Sequence, residues 1–140
     1  MKNVKYSGCF IDKNELEIAT CGVERSPLAV TIGAPHVTFE YKPKSVNSKL
    51  LGQKIDVVAV GYGVDCENEA LLVELTGIPD GLEAQAREIA VPHITLTVSE
   101  NGEPVNSKYL SFVPIEPIPL TATFGVMLET GEVIIGRNEN

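Results

Sequence analysis

The chain has 140 residues, 44% of them hydrophobic and 21% charged, the size and balance of one globular domain with a buried core. A formal net charge of −8 excludes the basic face that neutralises a run of phosphates on duplex DNA, and leaves room for a small phosphorylated ligand held by a few residues. No apolar run approaches the ~20 residues that cross a bilayer, and the opening MKNVKYSGCFID lacks the apolar centre and cleavage site of a secretory signal, so a cytoplasmic protein with no membrane partner is expected.

Nine prolines and twelve glycines punctuate short apolar stretches rich in Val, Ile, Thr, Phe and Tyr, which is how strands read. In chain order, strands are expected at Val4 to Ile11, Ala29 to Ile32, His36 to Tyr41, Lys54 to Tyr62 and Ala70 to Leu75, with a short helix at Asn14 to Ala19. A second helix is predicted over Gly81 to Ile89, where Ala, Gln, Arg and Glu favour the helical state and Asp80 stands in capping position. Strands follow at His93 to Val98, Thr121 to Leu128 and Val133 to Ile135, the last two forming a hairpin closed by Glu129 to Glu132, in which Gly131 can supply positive φ. The class is α+β, mainly β. Cys9, Cys21 and Cys66 are odd in number and lack C-x-x-C spacing, which suits reduced thiols; no pair has the spacing of a zinc site, and neither metal nor cofactor is expected.

The chain repeats itself. Residues 35 to 41 read PHVTFEY and residues 92 to 98 read PHITLTV; downstream, VNSKLL at 46 to 51 is answered by VNSKYL at 105 to 110, and GYG at 61 to 63 by TFG at 123 to 125. The histidines are 57 residues apart and the VNSK elements 59, so order and spacing persist with a two-residue insertion. This predicts one domain over 1–140 built from two half-repeats, about 1–63 and 64–140. Two units are too few for a solenoid and imply two pseudo-symmetric lobes of antiparallel sheet around a central cleft.

Side chains alternate across a strand. His36, Thr38 and Glu40 are therefore expected on one face and Val37, Phe39 and Tyr41 on the other; His93, Thr95 and Thr97 on the open face and Ile94, Leu96 and Val98 inside. Each half would present an imidazole beside a hydroxyl, directed by the apolar layer behind it. With an ordinary pKa of ~6.5, one imidazole can accept a proton while the other donates one. Cleavage of a phosphodiester needs that pair and donors for the non-bridging oxygens, a role that suits threonine hydroxyls. The plainer alternative is two histidines filling polar rows on two strands.

The paired His-x-Thr motifs with apolar flanks, one in each half of a small duplicated β-rich domain, resemble the 2H phosphoesterase superfamily, which includes RNA ligase-like phosphoesterases, the cyclic phosphodiesterase domain of fungal tRNA ligases and phage proteins that destroy cyclic nucleotide defence signals. The resemblance spans nearly the whole chain, and the gap between its histidines is compact for the superfamily. It implies metal-independent opening of a phosphodiester, with His36 and His93 as the acid/base pair and Thr38 and Thr95 binding phosphate. The expected substrate is a small nucleotide or short RNA end: a 2′,3′-cyclic phosphate, or a cyclic mono-, di- or oligonucleotide. A non-catalytic module that sequesters a nucleotide is the alternative.

Three further residues are candidates for substrate binding. Lys49 and Lys108, at matching positions of the repeat, can reach a phosphate, or be solvated lysines in capped turns. Tyr62 can stack a nucleobase at the cleft mouth, or be a core aromatic; Tyr6 is a weaker candidate of the same kind. Glu67, Glu69, Glu100 and Glu103 lie in polar, turn-like stretches and read as surface.

Overall fold

The short β-branched segments pair into one antiparallel sheet in the computed structural model, which describes residues 3–136. Its strands are β1 (Val4–Phe10), β2 (Val30–Thr31), β3 (His36–Tyr41), β4 (Lys54–Val64), β5 (Asn68–Thr76), β6 (His93–Val98), β7 (Val113–Leu128) and β8 (Val133–Ile134). Spatial order is β2-β6-β5-β4-β7-β1-β3, with β8 on β7. The strands thus belong to a single sheet, and its far ends curl toward each other until Cα atoms of β3 and β6 lie within 8 Å. Inside the curl sits the core, with Cys9, Val37, Ile55, Val57, Leu71, Ile94, Leu120 and Phe124 all buried. Among the described residues no helix is long and apolar enough to cross a membrane, and all three cysteines are free.

Among the described residues two short α-helices accompany the sheet. α1 (Lys13–Ala19) starts where the Asp12 side chain accepts a hydrogen bond from the Glu15 N–H, and it buries Leu16. α2 (Glu83–Arg87) is shorter than the sequence predicts; its cap is Leu82, with no side-chain capping bond, so Asp80 does not start it. Burial of Leu82 against the core holds this segment instead.

Strand β7 begins eight residues before its predicted start, across Pro114, Pro117 and Pro119. Prolines lack the N–H of a ladder bond and argue against a central strand, yet this half of β7 pairs only with β4, while β1 joins from Thr123 onward. Where a strand has one neighbour, proline is tolerated. The β7–β8 turn forms as expected, with Gly131 at φ 92°.

The registers around the two histidines correspond. His36 faces Phe10 across β3–β1 and His93 faces Leu72 across β6–β5; Thr38 faces Gly8 and Thr95 faces Ala70. One step along β1 then matches two along β3, and one step along β5 matches two along β6, which leaves Phe39 and Leu96 as extra residues, each third after its histidine. Further out, Phe124 opposes Cys9 and Tyr62 opposes Leu71. Gly8 allows β3 to come close, since a Cβ there would lie 2.3 Å from the Val37 carbonyl oxygen.

These bulges correct the expected alternation. Thr97 pairs with Glu69, which shares the face of Leu71, so Thr97 turns to the side of Ile94 and is 2% exposed. Glu40 likewise changes side at Phe39 and pairs with Ser7. A bulge resets the two-residue period, and nothing in the period itself announces it.

Candidate active site

Each histidine begins its strand, and the residue two positions earlier fixes its ring. His36 Nδ1 lies 2.9 Å from the Ala34 carbonyl oxygen and His93 Nδ1 lies 2.8 Å from that of Val91. A carbonyl only accepts, so each ring, when neutral, carries its proton on Nδ1 and its lone pair on Nε2. The same short-range bond thus sets the same tautomer twice, and the curl of the sheet brings the two strands together.

The surroundings of the rings differ. Tyr6 stacks on His36 with centroids 4.4 Å apart and planes 22° apart, its hydroxyl 3.3 Å from Nδ1, and Phe10 lies against the ring at 5.4 Å. Burial lowers the His36 pKa to about 4 against the opposing bond to Ala34, and the nearby His93 and Lys5 push it the same way. Burial of the Tyr6 phenol raises its pKa to about 12, so it stays neutral. His93 is also held below its ordinary value, by burial first and then by the positive charge of Lys108, while the Val91 and Pro104 carbonyls favour its charged form.

The threonines differ more. Thr38 is half-buried, and the side-chain hydrogen bonds of its motif among the described residues are those of His36. Thr95 is 6% exposed. Its hydroxyl donates to the Pro104 carbonyl at 3.1 Å and meets Ser107 Oγ at 2.8 Å. Ser107, fully buried, accepts from Asn68 Nδ2 at 3.1 Å, and the same amide donates to the Glu103 carbonyl at 2.8 Å. A 3-10 segment, Pro104–Tyr109, therefore lies over the second motif. The expected open hydroxyl of Thr95 is covered.

Tyr62 has its hydroxyl committed inside the fold. It is 8% exposed, donates to Glu69 Oε2 at 2.7 Å and accepts from the Ser26 N–H at 2.8 Å. Glu69, expected at the surface, has no exposure at all. Its carboxylate also receives Arg25 Nε and Nη2, both at 2.8 Å, and the Thr97 hydroxyl at 2.7 Å. Burial would raise its pKa, and the hydrogen bonds from Arg25, Tyr62 and Thr97 outweigh that and hold it below the usual carboxylate range. A local sequence cannot show this, because Arg25 lies 44 residues away.

Lys108 is near enough to His93 to shift it, and its Nζ lies 5.2 Å from the centroid of the exposed Tyr109 ring. Lys49 is exposed in the 3-10 turn Ser48–Leu50, which Asn47 caps by accepting from the Lys49 N–H at 3.0 Å. The sequence reading missed Asn68, Pro104, Ser107 and Lys5. One signal was present: VNSK places Ser48 and Ser107 at matching positions, yet Ser48 is exposed and Ser107 buried. Among the described residues, neither histidine lines the concavity of about 480 Å³ beside Val23, Tyr62 and Ile118 or that of about 300 Å³ beside Lys42 to Val46.

No protein-family model matches this chain, and no curated protein matches it.

Proposed function

We propose that the protein is a metal-independent phosphodiesterase of the 2H type that opens a cyclic phosphodiester in a small nucleotide, a 2′,3′-cyclic RNA end or a cyclic mono-, di- or oligonucleotide, and that its halves arose by duplication. One observation carries the reading: two His-x-Thr strands converge with both imidazoles fixed in the same tautomer by the carbonyl two residues upstream. The matching registers and bulges around the motifs support the duplication.

In the reaction, one neutral imidazole takes a proton from water as the water oxygen bonds to phosphorus. The other, charged, gives its proton to the ribose oxygen as the phosphorus–oxygen bond to it breaks. Both rings are held low in the free protein, and a bound phosphate anion raises them by favouring their charged forms. The ratio kcat/KM is expected to fall as pH rises through the free-protein pKa of the acid, which lies below 6.5 for either ring, because the acid must be protonated in the free enzyme.

The covered Thr95 favours a second reading, a module that binds a nucleotide without turning it over. Incubation of the protein in EDTA with cyclic nucleotides and RNA ending in a 2′,3′-cyclic phosphate, read by chromatography beside His36→Ala and His93→Ala, separates the two. Turnover that survives EDTA and disappears in both variants supports the hydrolase; ligand recovered unchanged, with affinity altered by the substitutions, supports the module.

A further inference from the structure

The two motifs are alike in sequence and unlike in state, and the difference traces to one pair of matching positions. Across β1–β3 Tyr6 pairs with Tyr41, and across β5–β6 Asn68 pairs with Val98, so Tyr6 and Asn68 stand at the same place in the two halves. Tyr6 stacks on the histidine of its half. Asn68 instead reaches the 3-10 segment, bonding the Glu103 carbonyl and Ser107 Oγ.

Each hydroxyl has one proton, which orders the second cluster. Thr95 donates to Pro104, so Ser107 donates to Thr95, and Asn68 donates to Ser107. The chain ends on a carbonyl and leaves the Thr95 hydroxyl no proton for an anion. A carbonyl oxygen beside Thr95 and His93 also repels a phosphate oxygen.

We propose that Asn68 and Ser107 are positioning residues which, by holding Pro104–Tyr109 on β6, make phosphate binding one-sided: Thr38 receives the anion, and Thr95 serves the fold. This rests on the phosphodiesterase reading of the cleft. It follows that the two threonines, interchangeable in the motif, respond differently to the same ligand.

Methyl-labelled threonine in the full chain provides a readout independent of turnover. Titration with inorganic phosphate, followed by carbon–proton correlation spectra, is expected to move the Thr38 methyl and leave Thr95 in place. A hydrogen bond to a charged group contributes about 1.5–3 kcal/mol, so Thr38→Val raises the phosphate Kd about tenfold or more while Thr95→Val changes it less than about twofold. Ser107→Ala, which loosens the hold on Pro104–Tyr109 and so on the Pro104 carbonyl that takes the Thr95 proton, is expected to make the Thr95 methyl respond. If Thr95→Val does not fold, the Thr38 and Thr95 methyl shifts in the wild-type spectra still decide. Comparable shifts at both threonines overturn the asymmetry and leave the phosphodiesterase reading standing. No shift at either, with phosphate or with 2′,3′-cyclic AMP as probe, overturns both.

Discussion

Arg25→Ala removes two of the four hydrogen bonds that the fully buried Glu69 accepts, and leaves those of Tyr62 and Thr97. Removing one partner of a buried pair costs about 3–5 kcal/mol, because the remaining charge stays out of water. The Arg25 side chain is 23% exposed and two donors remain, which puts the loss near the lower end, about 3 kcal/mol, or about 10 °C in Tm for a domain of this size. The loss should depend on pH. In the wild type Glu69 is held below its ordinary range, so its contribution is present above the unfolded pKa and is lost as pH falls through the folded one. Without the guanidinium, burial acts with less opposition and raises the folded pKa of Glu69; folding then takes up a proton, and the deficit narrows as pH falls from 7 to 5. Urea unfolding followed by circular dichroism at both pH values measures this, with Glu69→Gln in the Arg25→Ala background expected to restore part of the loss. A deficit below about 1 kcal/mol that does not change with pH would refute the reasoning and make the pair an ordinary surface contact.

Tyr62→Phe should lower stability by about 2 kcal/mol through the lost bonds to Glu69 and the Ser26 N–H, and change the KM for a nucleotide less than about twofold; a large rise in KM would place the hydroxyl in the binding site. His36 titrates near 6.5 in the unfolded chain and about 4 in the fold, so stability is fully present above 6.5 and falls toward pH 4 by up to about 3 kcal/mol. His36→Asn should flatten that slope in urea titrations, and an unchanged slope would contradict the burial of the ring. Gly8→Ala should cost about 2–3 kcal/mol and disturb β3, because its Cβ meets the Val37 carbonyl; wild-type unfolding would show that the strands can separate freely.

Strands β3 and β6 end where the sequence places them, because proline precedes each and a β-branched, aromatic or aliphatic run fills each. The α+β, mainly β, class was legible for the same reason. What was not legible comes from distant partners. Glu69 reads as surface until Arg25 is found beside it, and Tyr62 as a platform until its hydroxyl is seen committed. Thr97 changes face at a bulge, and β7 runs through three prolines because one side of it is free there. Thr38 and Thr95 occupy identical motifs, so their different surroundings depend on Asn68 and Ser107, which sit outside the motif.

The central claim is that His36 and His93 act together on one phosphodiester. It is tested most directly by rates of hydrolysis, in EDTA, for His36→Ala, His93→Ala and the double variant on one cyclic substrate. Groups that act as a unit are strongly non-additive, so the account predicts that each single variant loses nearly as much as the double. Independent, multiplying losses, or hydrolysis by the double variant at the wild-type rate, would contradict it.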